Sequence, residues 1–140
     1  MIEKGTRRPF PMITADSTTA RYILVKQGSD YQGQSTVTIP TATTDKIIGV
    51  THTDAAVQYY PIDIVGPGDI TKIQVETGAT VTGGDLVRNG ATDYQKIRTL
   101  TYTAVTGTTN CTLVGQVQGT ATYTAGKFAP VMLYLLPVTV

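Results

Sequence analysis

The chain has 140 residues and a mass of 14.9 kDa, a length that fits one domain with a sizeable core. Its formal net charge of +1 announces no nucleic-acid binder, which would carry a basic patch or a high pI. Hydrophobic residues make up 41% and charged residues only 15%, below the usual quarter, and the one cysteine, Cys111, has no internal disulfide partner.

Thr, Val, Ile and Tyr are common and Trp is absent, so the composition favours pleated strands over helices and predicts an all-β fold. A lone thiol suits a chain folded in a reducing cytoplasm. The basic residues near the start are not followed by an apolar h-region, which argues against a secretory signal. The longest apolar run, Ala129 to Leu136, contains Pro130 and is too short to span a bilayer, so a soluble protein with no membrane partner is expected.

Residues 1–20 (MIEKGTRRPFPMITADSTTA) show neither helical nor strand period, and Gly5, Pro9 and Pro11 exclude a long regular element. A frayed tail would be polar, yet this segment carries Ile2, Phe10, Met12 and Ile13. We read it as an extended arm that buries those groups against another chain, stiffened by its prolines. The β-domain is expected over residues 21–140.

Arg21 to Lys26 (RYILVK) predicts a short buried strand, followed by a turn at Gln27–Asp30. Gln34 to Ile39 alternates and predicts another strand. Lys46 to Val50 (KIIGV) is apolar. Tyr59 to Val65 (YYPIDIV) places Ile62, Ile64 and Tyr60 on one face, with Pro61 at an edge or a strand start.

Gly66-Pro67-Gly68-Asp69 and Thr82-Gly83-Gly84-Asp85 are turns by composition. Between them Ile70 to Thr77 has a period of two, the mark of a half-buried strand, and Leu86-Val87 opens the next one. Tyr94 to Val105 alternates without a clean apolar face, which suits a sheet edge or an interface. Thr106 to Asn110 reads as a hairpin loop into Cys111–Val117. Gly119 to Gly126 reads as a bridge of small residues before a closing strand, Phe128 to Leu136. Strands at this spacing predict a β-sandwich or barrel.

Three features carry a resemblance: Ile47-Ile48-Gly49-Val50-Thr51, then Asp54-Ala55-Ala56, then Gly78-Ala79-Thr80-Val81-Thr82-Gly83-Gly84-Asp85-Leu86-Val87. Their order and spacing resemble the capsid cement, or head-decoration, proteins of tailed bacteriophages. Leu113–Val117 and Ala129–Leu136 stand where that family has its Gly-led and C-terminal strands. The likeness covers most of residues 20–136. It implies a structural virion protein, made in the host cytoplasm, that binds the outer surface of the expanded head. There it would clamp neighbouring major capsid proteins against internal DNA pressure. The likeness further implies a homotrimer that touches adjacent decoration trimers. The capsid-contacting arm residues would be Arg7, Arg8, Pro9, Phe10, Met12 and Ile13.

No catalytic, cofactor or metal site is expected. His52 is the sole histidine, and neither a zinc ligand set nor a Ser–His–acid arrangement forms around it with Ser17, Ser29, Ser35 and distant Cys111. Asp54, Asp63, Asp69, Glu76, Asp85 and Asp93 are spread singly. Gly83-Gly84 precedes neither a helix nor a Lys-Ser/Thr pair, so it is no phosphate loop. Eight tyrosines against two phenylalanines suit a wet protein interface. The alternative they leave open is a carbohydrate-binding or adhesion module on a virion or cell surface.

Overall fold

The structure is a computed structural model and describes residues 10–101, 107 and 109–140. It is all-β among those residues, with twelve strands: β1 Phe10–Thr14, β2 Leu24–Gln27, β3 Thr36–Thr38, β4 Gly49–Thr51, β5 Pro61–Val65, β6 Ile70–Gln74, β7 Thr80–Thr82, β8 Leu86–Asn89, β9 Ile97–Thr99, β10 Asn110–Val117, β11 Thr122–Thr124 and β12 Phe128–Thr139.

The first five strands close a barrel in the order β1-β3-β2-β4-β5. All its pairs are antiparallel except β1 with β3, which run parallel. A five-stranded sheet, β6-β12-β10-β8-β9, packs beside it, and β7 and β11 form a separate ribbon. A parallel bridge between Val75 and Ile97 draws the two edges of the five-stranded sheet together. The sheet therefore curls, and both of its edges are partly covered.

Strands β2 and β5 bury adjacent residues on opposite faces, Leu24 beside Val25 and Ile64 beside Val65, so strict alternation is lost there. Leu24, Ile47, Val50 and Val65 belong to one core cluster with Ile73, Val75, Val87, Val114, Val131 and Leu133 of the curled sheet region. Val25, Val37, Ile62 and Ile64 form a second cluster inside the barrel. Each such side chain contributes roughly 1.5–3 kcal/mol by leaving water. The half-buried strand β6 instead alternates, with Thr71 and Ile73 inside and Ile70 and Lys72 outside.

Both predicted turns are present. Gly68 (φ 90°) and Gly84 (φ 91°) sit in the left-handed region that a side chain disfavours. Asp69 and Asp85 accept from the Gly66 and Thr82 amides at 3.4 and 2.8 Å.

Several expectations change. The run read as arm enters the barrel at Phe10, and β1 is paired on both sides. Tyr60 is 53% exposed rather than facing inward with Ile62 and Ile64. The bridge of small residues contains β11, which pairs with β7 through Thr122 and Thr82, Tyr123 and Val81, and Thr124 and Thr80. Tyr102–Val105 lie outside the described residues, and among the described residues of the Tyr94–Val105 stretch only Ile97–Thr99 is strand, at the sheet edge. The closing strand runs on past Leu136, with Pro137 and Val138 opposite Thr112 and Cys111.

Candidate protein-docking surface at the root of the N-terminal segment

Arg7, Arg8 and Pro9 of the expected contact set lie outside the described residues. The other three, Phe10, Met12 and Ile13, fall in β1. Here the strand pairs antiparallel with β5, setting Phe10 opposite Ile64, Met12 opposite Ile62 and Ile13 opposite Pro61. Its pairing with β3 covers only Ile13–Thr36 and Thr14–Val37. Among the described residues the first half of β1 therefore has one partner strand instead of two.

Backbone hydrogen bonds explain how prolines are accommodated here. Thr14 N–H donates to the Tyr60 carbonyl at 3.1 Å, on the β5 side, while Ala15 N–H donates to the Val37 carbonyl at 2.8 Å, on the β3 side. Alternation then turns the position of Pro11 toward the β3 side, where β3 has not yet begun. A residue without an N–H costs no ladder bond at that place.

The gap is a cleft of about 410 Å³, lined by Pro11, Met12, Ile13, Gln34, Ser35 and Pro61. Met12 also packs against the barrel core, so the floor of the cleft is anchored. Gln34 and Tyr31 exchange backbone hydrogen bonds at 2.9 Å in each direction, tying the rim to an aromatic pair. The rings of Tyr31 and Tyr59 stack with centroids 3.6 Å apart and planes 6° from parallel. Tyr59 adopts φ 60°, and its N–H donates to the Thr14 carbonyl at 2.7 Å, fixing the loop against β1. Tyr60 and Val57, near Tyr59 in the chain, are 53% and 56% exposed. Backbone bonds from Tyr31 to Gln34 and from Tyr59 to Thr14 thus link the stacked tyrosines to the cleft and to β1.

A second aromatic contact lies on the curled sheet. Tyr22 meets Phe128 edge-on at 5.9 Å, and Arg21 sits 5.2 Å from the Tyr22 ring centroid. Ile70 and Phe128 are each 44% exposed nearby.

The carboxylates hold loops. Asp45 Oδ2 accepts from the amides of Thr41 (2.7 Å) and Ala42 (3.0 Å) and from Lys26 Nζ (2.9 Å). Burial alone would raise the Asp45 carboxyl, but the Lys26 bond, the two amides and the Lys26 charge outweigh it and set it below the ordinary range. Glu76, only 1% exposed, accepts at Oε1 from Thr92 N–H (2.5 Å), Thr92 hydroxyl (2.8 Å) and Asp93 N–H (2.8 Å). Burial pushes its carboxyl up as well. The donors of Thr92 and Asp93, with the charge of Arg98, more than reverse this and lower it.

Among the described residues no group of three or more His, Cys, Asp or Glu side chains could hold a metal ion. His52 follows β4, its N–H donating to the Asp63 carbonyl at 2.7 Å. Sequence reasoning did not assign Pro11, Pro61, Tyr31 or Tyr59 to a common surface. The signal was the Tyr59-Tyr60-Pro61 triplet beside a proline-bearing arm, whose meaning depends on the β1–β5 register. No family model, curated protein or solved structure matches the chain.

Proposed function

We propose that this chain is a structural virion protein that binds the outer surface of an expanded bacteriophage head and cements neighbouring major capsid proteins. The reading starts from the resemblance carried by residues 47–51, 54–56 and 78–87. The observation that supports it is the root of the N-terminal segment. Residues 10–14 are held in a closed barrel beside a cleft lined by Pro11, Met12, Ile13, Gln34, Ser35 and Pro61; the stacked Tyr31 and Tyr59 are tied to it through the Tyr31–Gln34 backbone bonds, and Tyr60, next to Pro61, is exposed.

Tyrosines at such a rim give apolar area and a hydroxyl at low entropic cost. A segment extending from a rigid strand also docks with less ordering cost than a free tail. On this reading, residues 1–9 with Arg7, Arg8 and Pro9 reach the capsid or an adjacent decoration trimer. The cleft and tyrosine rim form the apolar part of the contact. Trimeric assembly and repetition over the shell multiply modest contacts into avidity. The carbohydrate-binding alternative is less well supported, because Tyr31 and Tyr59 turn one ring face each toward the other instead of toward a sugar.

The test is deletion of residues 1–9, which leaves β1 whole. The variant is expected to keep the unfolding midpoint of the full chain and to lose most binding to expanded shells in co-sedimentation. Deleting residues 1–18 would be uninformative for docking, since it removes a barrel strand. Undiminished shell binding by the 1–9 deletion would contradict the role given to the segment.

A further inference from the structure

Asn89 ends β8 next to Gly90, and the sequence holds no other Asn-Gly pair. Both residues are set by their surroundings. The Asn89 side chain is fully buried and ties three segments together. Its Nδ2 donates to the Thr43 carbonyl at 2.8 Å, and its Oδ1 accepts from the Thr112 amide of β10 at 2.9 Å. Gly90 is set by space: a Cβ there would lie 2.1 Å from the Asp93 carbonyl oxygen and 2.8 Å from Glu76 Oε1. The fold therefore requires at positions 89 and 90 the dipeptide whose side-chain amide is chemically least durable, because glycine puts no side chain in the way of ring closure.

The reaction open to that pair is deamidation. The Gly90 nitrogen, having given its proton to hydroxide, bonds to Asn89 Cγ while the Cγ–Nδ2 bond breaks and ammonia leaves. Water then opens the five-membered succinimide at either carbonyl, giving aspartate or isoaspartate, so one water is consumed for each ammonia released. In the folded chain both reacting groups are committed. Gly90 N–H donates to the Lys96 carbonyl at 2.8 Å, and Asn89 is paired with Ile97 of β9 in an extended ladder that ring closure would break. The 90–96 loop is fastened in turn by Glu76 Oε1, which accepts from the Thr92 amide, the Thr92 hydroxyl and the Asp93 amide.

We infer that Asn89 is a site of spontaneous covalent modification gated by the Glu76 clamp: the chain deamidates there only while the 90–96 loop is open. A loop fastened by one side chain opens locally at lower cost than the whole sheet unfolds. The product does not revert. An aspartate at position 89 has no N–H for the Thr43 carbonyl and places a charge where the side chain is fully buried. Isoaspartate lengthens the β8 backbone by one carbon and spoils its pairing. Deamidated chains therefore open more readily than intact ones and accumulate with age. The site shares no residue with the cleft beside β1 and does not depend on the capsid reading.

The test follows the full chain by peptide-mapping mass spectrometry during incubation in mildly alkaline buffer, with and without denaturing urea. Asn110, followed by Cys111, serves as the internal reference. Asn89 is expected to deamidate ~tenfold or more faster in urea than in the folded chain, and faster there than Asn110. Thr92→Val, which removes the hydroxyl bond to the Glu76 carboxylate, should speed the folded-state reaction ~tenfold, as loss of a charge-assisted bond implies. Ile64→Val, a mild change in the separate barrel cluster, should leave that rate as it is. The deamidated chain, once separated, should unfold at lower urea than the intact one. Equal rates at Asn89 in the folded and unfolded chain, or equal acceleration by Ile64→Val and Thr92→Val, would overturn the inference.

Discussion

Glu76 and Thr92 are joined by two hydrogen bonds to one carboxylate oxygen, from the Thr92 amide at 2.5 Å and its hydroxyl at 2.8 Å. This pair fastens the loop between β8 and β9 to the end of β6. The Val75–Ile97 bridge beside it joins the two edges of the curled sheet. Replacing the carboxylate by an amide keeps an acceptor for the loop but removes the charge that Arg98 faces. Glu76→Gln should therefore cost about 1–2 kcal/mol, and Glu76→Ala about 2–4 kcal/mol, in urea unfolding. Wild-type stability in the alanine variant would show that the loop is held by other contacts.

The same carboxylate gives a pH dependence of fixed sign. The folded-state values of Glu76 and Asp45 both lie below their ordinary values of 4.5 and 3.8. On acidification the unfolded chain therefore binds protons first. The stability these groups contribute is present above the ordinary carboxylate range and is lost as pH falls through their folded-state values. Urea midpoints should be flat above about pH 6 and decline below roughly pH 4.5. Glu76→Gln should make that decline shallower, and an unchanged slope in the variant would contradict the assignment.

Gly115 occupies the irregular step in β10, where the pairing register shifts toward both β12 and β8. A Cβ at this position would come within 1.8 Å of the Met132 carbonyl oxygen and 2.9 Å of Val131 Cγ1. The first of these is backbone in the neighbouring strand and cannot rotate away. Gly115→Ala should destabilise by about 2–4 kcal/mol, measured by thermal or urea unfolding. A neutral effect would mean that the bulge relaxes freely.

Because Leu24, Ile47, Val50 and Val65 of the barrel region share one apolar cluster with Ile73 and Val131, barrel and curled sheet should unfold together. Ile64→Ala inside the barrel and Ile73→Ala in the sheet should each cost about 2–5 kcal/mol. Both should shift one common transition, observed alike by circular dichroism and tyrosine fluorescence. Two separable transitions would show that the shared cluster does not couple the layers.

The strands with simple surroundings were the legible ones. Ile70–Gln74 has one face inside and alternates, and the Asp69 and Asp85 turns carry their own glycine chemistry, so local rules sufficed. Strand β1 was not legible because Pro9 and Pro11 argue against a ladder. Only the late start of β3 makes room for Pro11, and that is a relation between segments more than twenty residues apart. The short threonine-rich strands β7 and β11 carry little apolar signal, since only Val81 and half-buried Tyr123 face the core. The same holds for the sites. The arm residues stood out by composition, whereas the Tyr31–Tyr59 stack exists only once the register is known.

The capsid-cement reading is tested most directly by co-sedimentation of the purified full chain with expanded and unexpanded phage shells from its own source. The account predicts saturable binding to expanded shells alone, weakened when residues 1–9 are removed. Absence of binding to either form would contradict it.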